Sequence, residues 1–311
     1  MPESDTALRY LDPVVVSQLA NMELRARLIV EGFITGLHRS PYHGFSVEFA
    51  EHRPYNPGDE LRHVDWKVYA KTDRYFIKQY EEETNLRSYV VLDTSSSMRY
   101  KGEAELSKLE YGSYLAAGLH NLMLKQRDAT GLIGFDETVH TLRPPKATPG
   151  YLRQLLVALE QMQDREEDEG TRTSAAAALD EVAERIGRRS LVVVITDLFE
   201  NIAAHDDLLK ALRHLRHRGH EVIVLHVLEG ETERRFDFPD RPTLFRDVET
   251  GEEVTLQPAQ LRDHYEEAVE HFTDHFRRSC LEHDIDFAEL DTNEPYDTAL
   301  MAYLNKRSQL V

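Results

Sequence analysis

Apolar residues follow two different periods along this chain, and the periods alternate. Residues 86–92 (LRSYVVL) form a short apolar run that ends in a polar loop, the pattern of a buried strand. Residues 104–126 then place Leu115, Leu119 and Leu122 at helical spacing. Residues 131–135 and 138–142 read as strands around an Asp136-Glu137 turn, and 149–162 and 173–187 read as helices. Residues 191–195 (LVVVI) are a continuous, largely β-branched run, as expected of a strand covered on both faces. A helix over 204–218 closes at Gly219, 222–228 is another buried strand, and the charged stretch 229–256 reads as a small hairpin excursion. Residues 258–283 predict a long amphipathic helix with Leu261, Tyr265, Ala268, Phe272 and Phe276 on one face; 285–290 is a last strand and 296–306 a last helix.

The first 85 residues read differently. Residues 12–37 predict one or two helices, 44–50 (GFSVEFA) alternates like a strand, and 74–81 is a second strand candidate. Between them, Asn56-Pro57-Gly58-Asp59 has the turn chemistry of Pro followed by Gly. No Gly/Ser-rich linker follows, so this part is expected to pack directly on what comes next. The expected fold class is therefore α/β: a doubly wound, mostly parallel, three-layer sheet over 86–311, with a smaller N-terminal α+β region over 1–85. Ligands of such sheets sit at the carboxyl ends of the strands.

Charge narrows the partners. With 37 Lys+Arg against 56 Asp+Glu the formal net charge is −19, which repels phosphate backbones and sets nucleic acid aside. A single cysteine, Cys280, excludes an intrachain disulfide and a thiolate metal cluster; a reducing, cytoplasmic location is expected, and Cys280 reads as a small core residue. The first residues lack a basic and apolar leader pattern, and the apolar runs are too short to span a bilayer. No P-loop, GxGxxG, GxSxG or CxxC motif is present, and the expectation is a binding protein without an enzymatic activity of its own.

The chemistry concentrates in Asp93-Thr94-Ser95-Ser96-Ser97, directly after the first buried strand. One carboxylate and two hydroxyls at i, i+2 and i+4 are hard oxygen ligands, suited to Mg²⁺, Mn²⁺ or Ca²⁺. An ion held this way is under-neutralised and keeps open positions for a carboxylate from another molecule. Asp197 follows the buried run 191–196, and its loop lies beside the first if the two strands are neighbours. Thr171-Arg172-Thr173-Ser174 precedes a helix and offers hydroxyls that cap it and reach an ion.

Asp93-x-Ser95-x-Ser97, a threonine loop and Asp197 together resemble the metal-ion-dependent adhesion site of von Willebrand factor A domains, and Gly131–Asp136 (GLIGFD) resembles the strand that follows it in that fold. The family's threonine stands six residues before the leucine of an Ala-Leu pair; here that implies Thr173, with Ala178-Leu179, although Arg172 replaces the usual glycine before it. Residues 38–83, His214–His220 (HLRHRGH) and Asp291-Thr292 are similar to the signature of the bacterial domain-of-unknown-function family fifty-eight (DUF58), over roughly residues 20–307. The resemblance implies a von Willebrand A-like fold, a metal held by Asp93, Ser95, Ser97, Thr173 and Asp197, and a partner that is a MoxR-type AAA+ ATPase. The implied task is adaptor or co-chaperone work on the assembly of a client protein.

Other clusters read more plainly. Arg53, Tyr55, Asp59, Arg62, Asp65 and Trp66 read as a salt-bridged interface within the chain, and 166–169 as a solvated loop. His264, His271 and His275 read as a solvated helical face, since Phe272 stands where a zinc protease carries its glutamate; His214, His217 and His220 are read in the same way. Two alternatives remain beside the binding module. One is a Mg²⁺-dependent phosphatase of the haloacid-dehalogenase plan, which needs a second acid where this chain has Ser95. The other is a scaffold with a vestigial site.

Overall fold

The computed structural model describes residues 47–54, 64–82, 86–148, 150–165, 175–187, 189–199, 205–247, 251 and 253–295. The helices read over 12–37 and 296–306, the start of the strand over 44–50, the 56–59 turn, the 166–169 loop, Thr173, Tyr55, Asp59 and Arg62 lie outside them. The chain divides into two compact units, Ile34–Asn85 and a larger one that includes Leu86–Val311.

In the smaller unit β1 (Val47–Pro54) pairs antiparallel with β2 (Phe76–Glu82), with a bulge between Phe49 and Glu51. The short helix α1 (Trp66–Thr72) lies between them in sequence. Asp65, one of the polar-aromatic motif residues, is its N-cap: the carboxylate accepts hydrogen bonds from the backbone of Lys67 at 2.9 Å and Val68 at 3.2 Å. Trp66 meets Tyr69 edge-on, and Tyr69 stacks on Tyr75 at 4.4 Å.

The larger unit carries a six-stranded sheet in the order β10-β7-β6-β3-β4-β5. Its strands are β3 (Arg87–Asp93), β4 (Ala129–Phe135), β5 (Val139–Lys146), β6 (Leu191–Thr196), β7 (Glu221–Leu228) and β10 (Asp286–Asp291). All neighbours run parallel except β5, which lies antiparallel on β4. β5 outlasts its sequence signal and includes Pro144 and Pro145; the outer edge, which needs no ladder hydrogen bonds, accommodates one, and the register shift opposite Gly131 accommodates the other. A small antiparallel hairpin, β8 (Thr243–Arg246) with β9 (Glu253–Leu256), forms the excursion. This is the expected α/β class.

Alternation along the central strands supplies both faces of the core. Val90, Leu92, Val193 and Ile195 face α2 (Lys108–Lys125) and α3 (Tyr151–Gln163). Tyr89, Val91, Val192 and Val194 face α4 (Ala175–Arg185), α5 (His205–His217) and α6 (Pro258–Glu282). α2 starts later than its apolar pattern suggests because Ser107 caps it: Ser107 and Glu110 exchange side chain-to-backbone hydrogen bonds in a capping box. It presses closely on the sheet at Gly112, where a Cβ would stand 3.1 Å from Leu92 and Ile195. α5 ends at Gly219 with φ +85°.

Two expectations need correction. Leu261 and Ala268 are exposed, and the buried residues of α6 are Pro258, Thr273, Phe276 and Cys280. A helix of this length outreaches the strands it covers, so its N-terminal half leaves the sheet. His220 is not solvated: it is fully buried, its Nδ1 accepting from the Ser190 backbone at 3.3 Å, and burial lowers its pKa. His264, His271 and His275 are exposed, as read, and Cys280 is a core residue whose thiol burial pushes up to about 12. No described helix is long and apolar enough to cross a membrane.

His120 of α2 is buried beside Thr130, with Nδ1 at 2.7 Å from its hydroxyl, and burial pushes its pKa down to about 3. The unfolded chain, with an ordinary histidine, binds this proton first. Stability from this residue is therefore whole above about pH 6.5 and drains as the pH falls toward 3. By pH 5 the loss is about 2 kcal/mol. His120→Gln should flatten urea-unfolding stability between pH 6.5 and 5 by that amount; an unchanged slope would assign the acid sensitivity elsewhere.

Candidate metal centre

The strand order reverses between β3 and β6: the chain builds outward through β4 and β5 on one side, then through β6, β7 and β10 on the other. A crevice opens at the carboxyl ends of strands on either side of such a switch point. Asp93 is the last residue of β3 and Asp197 follows the last residue of β6, so parallel pairing brings the two carboxylates to the same edge.

The Asp93 loop is tightly built. Thr94 donates backbone and side-chain hydrogen bonds to the Phe135 carbonyl at 2.8 and 2.9 Å, with His140 Nε2 at 2.8 Å from the same hydroxyl. Ser95 N–H donates to Asp93 Oδ1 at 2.9 Å, and a turn of 3₁₀ helix, Ser96–Arg99, follows. The Ser95 and Ser97 hydroxyls are buried and 3.1 Å apart. Asp93 is buried too; burial first, and the Asp197 charge second, push its carboxyl up to about 7. Among the described residues no lysine, arginine or histidine pairs with it.

Thr196, which belongs to no motif, joins the two loops. Its hydroxyl donates to Asp93 Oδ2 at 2.6 Å and accepts from Leu198 N–H at 3.1 Å. Leu198 holds a left-handed φ of +54° and is itself buried, which turns the chain so that Phe199 N–H reaches Asp197 Oδ1 at 3.0 Å. Behind the turn, His226 lies with Nε2 at 3.0 Å from the Asp197 carbonyl.

A second unanticipated group is Lys108, the first residue of α2. Its side chain is completely buried, with Nζ 2.7 Å from Asp197 Oδ2 and also bonded to Glu233. Burial works against the ammonium, but the Asp197 and Glu233 carboxylates outweigh it and raise the Lys108 pKa. Glu233 belongs to a π-helical turn, Gly230–Arg234, fastened by Glu229, whose carboxylate accepts from Thr232 N–H at 2.6 Å and Asn293 Nδ2 at 2.8 Å. The only sequence signal for Lys108 was a lysine at a helix N-terminus, where the helix dipole disfavours a cation.

The donor set suits a hard divalent ion. Asp93, Ser95 and Ser97 contribute oxygen from one loop, and adjacent ligands of a Mg²⁺ octahedron stand roughly 3 Å apart, close to the separation of the two serine hydroxyls. Asp197 is nearby and differs from Asp93 in its donors: it accepts from Phe199 N–H and from the Lys108 ammonium, whereas among the described residues Asp93 accepts only from the neutral Ser95 N–H and Thr196 hydroxyl. Thr173 lies outside the described residues, so the described candidates are Asp93, Ser95, Ser97 and Asp197.

Known proteins resemble this chain along most of its length. It is 27% identical over 261 residues to protein Rv1480 of Mycobacterium tuberculosis, covering 83% of this chain and 78% of that one. Among solved structures it is similar to the hypothetical protein BatB of Bacteroides thetaiotaomicron, with TM-score 0.44 and 17% identity over 72% of this chain and 99% of that one. It is also similar to the VWA domain of SpRpn10, with TM-score 0.40 and 11% identity over 71% of this chain and 95% of that one. The model of the family described as "Protein of unknown function DUF58" matches residues 51–274, and the chain belongs to that family.

Proposed function

We propose that this protein is a metal-dependent binding module that catalyses no reaction of its own, and that its site takes a Mg²⁺ or Mn²⁺ ion through Asp93, Ser95 and Ser97, with Thr173 and Asp197 beside them. The ion supplies a Lewis-acidic position for an acidic side chain of a partner protein. The observation that carries this reading is the pairing of two strand-end carboxylates at the switch point of the sheet, one of them buried beside two converging hydroxyls. In this reading the partner is a MoxR-type AAA+ ATPase, in keeping with the DUF58 resemblance, and the shared task is remodelling or assembly of client proteins in the cytoplasm.

The test is calorimetric titration of Mg²⁺ and Mn²⁺ into wild type and Asp93→Ala. Saturable binding that the substitution abolishes is expected, followed by ATPase capture that chelator reverses. Equal binding by both proteins would place the ion elsewhere. The phosphatase alternative gains a lysine from the structure, since Lys108 touches Asp197, but that lysine is wholly buried and Ser95 stands where the second acid is needed. Turnover of an aryl phosphate with Mg²⁺, lost in Asp93→Asn, would favour the enzyme instead.

A further inference from the structure

We infer that Lys108 is a tethered cation that keeps Asp197 out of the inner coordination shell of the ion, so that the site alone binds metal weakly. The inference rests on the metal-binding reading above. Three observations carry it. First, Asp197 already holds a cation: Oδ2 receives the ammonium at 2.7 Å and Oδ1 receives Phe199 N–H at 3.0 Å, whereas among the described residues Asp93 accepts only from neutral donors, Ser95 N–H and the Thr196 hydroxyl; a metal ion on Asp197 would have to stand against the ammonium or displace it. Second, the ammonium is built in. It is fully buried and gripped by Asp197 and Glu233, with the Tyr100 and Phe199 ring centroids at 5.8 and 5.5 Å. Third, a cation at the first turn of a helix opposes the macrodipole, so it is the Asp197 and Glu233 carboxylates that hold the ammonium there.

Asp93 and Asp197 sit at the two strand ends of the switch point, and Lys108 neutralises only the second. A divalent ion arriving at Asp93 therefore meets a nearby positive charge, and the serine hydroxyls add none of the opposite sign. Asp197 is left to act through bound water. Under this arrangement tight binding needs one more carboxylate, and the partner supplies it. Glu233 ties the same ammonium to the Gly230–Arg234 turn, beyond the end of β7, so the turn and the ion site share one charge.

The experiment counts free Mn²⁺ by electron paramagnetic resonance against the full-length protein. It compares wild type, Glu233→Gln, a charge-balanced Lys108→Met/Glu233→Gln double variant, and that double variant with Asp93→Ala added. The double variant loses one charge of each sign, and its circular dichroism and melting curve check its fold. It should bind Mn²⁺ at least about tenfold more tightly than wild type, and Asp93→Ala should remove that binding. Glu233→Gln, which leaves the ammonium wholly to Asp197, should bind no more tightly than wild type. Equal or weaker binding by the double variant, or tighter binding by Glu233→Gln, overturns the role of Lys108 while wild-type binding sustains the metal site. Absence of Mn²⁺ binding in every variant overturns the metal reading, and this inference with it. Should the double variant fail to fold, Lys108→Gln/Glu233→Gln takes its place, with the same expected and overturning results.

Discussion

Lys108→Met should destabilise the metal-free chain by about 3–5 kcal/mol. The methylene stem is replaced almost isosterically, so little of the loss comes from packing. It comes from charge: Asp197 and Glu233 remain in place, one of them with essentially no water contact, and their common cation is gone. Breaking a buried pair from one side is far worse than removing it whole, which is why Glu233→Gln on top of Lys108→Met should recover part of the loss. Urea unfolding followed by far-UV circular dichroism measures this in the right part of the molecule, since the single tryptophan, Trp66, belongs to the smaller unit. A loss below about 1 kcal/mol would be that of an ordinary exposed ion pair and would contradict the burial described here.

The second large effect concerns pH and has the opposite sign from that of His120. The Asp93 carboxyl is pushed up to about 7, so between its ordinary value and 7 the folded chain holds a proton that the unfolded chain has released. Stability therefore falls as pH rises through this window, by about 4 kcal/mol in all once the carboxylate is ionised. In the presence of chelator, Asp93→Asn should match wild type near pH 4 and exceed it by up to that amount near pH 8, because a neutral amide keeps an acceptor for Thr196 without the buried charge. Mg²⁺ should close the gap by stabilising wild type alone. A variant no more stable than wild type at pH 8 would mean that the folded site tolerates the ionised Asp93 without a cation.

What was legible in the sequence was whatever depended on neighbours along the chain. The strands that became β3, β6 and β7 read correctly because a strand buried on both faces must be apolar at nearly every position. The Asp93 loop was legible for the same reason: its donors lie within five residues of each other. Lys108 was not, because its partners stand 89 and 125 residues away and its own surroundings, SKLE, read as a helix start. Thr196 passed as the last residue of an apolar strand, although its hydroxyl joins the Asp93 loop to the Leu198 turn. His220 reads as part of a polar helix end, yet the chain reverses at Gly219 and turns it inward against the Ser190 backbone. On α6 the spacing found a stripe but could not say how far the helix outruns the sheet.

The two prolines of β5 bear on how such a domain can join other chains. An open strand with its amides free is an invitation to add another strand, from a second copy or from a partner's extended segment. Consecutive residues of a strand face opposite sides, so one of the adjacent Pro144 and Pro145 removes a donor from the outward row that such an addition requires. Growth of the sheet at this border, whether as a fibril or as a borrowed strand, is thereby discouraged. Under the binding function proposed above, recruitment of a partner would then fall to side chains, those at the carboxyl ends of the central strands.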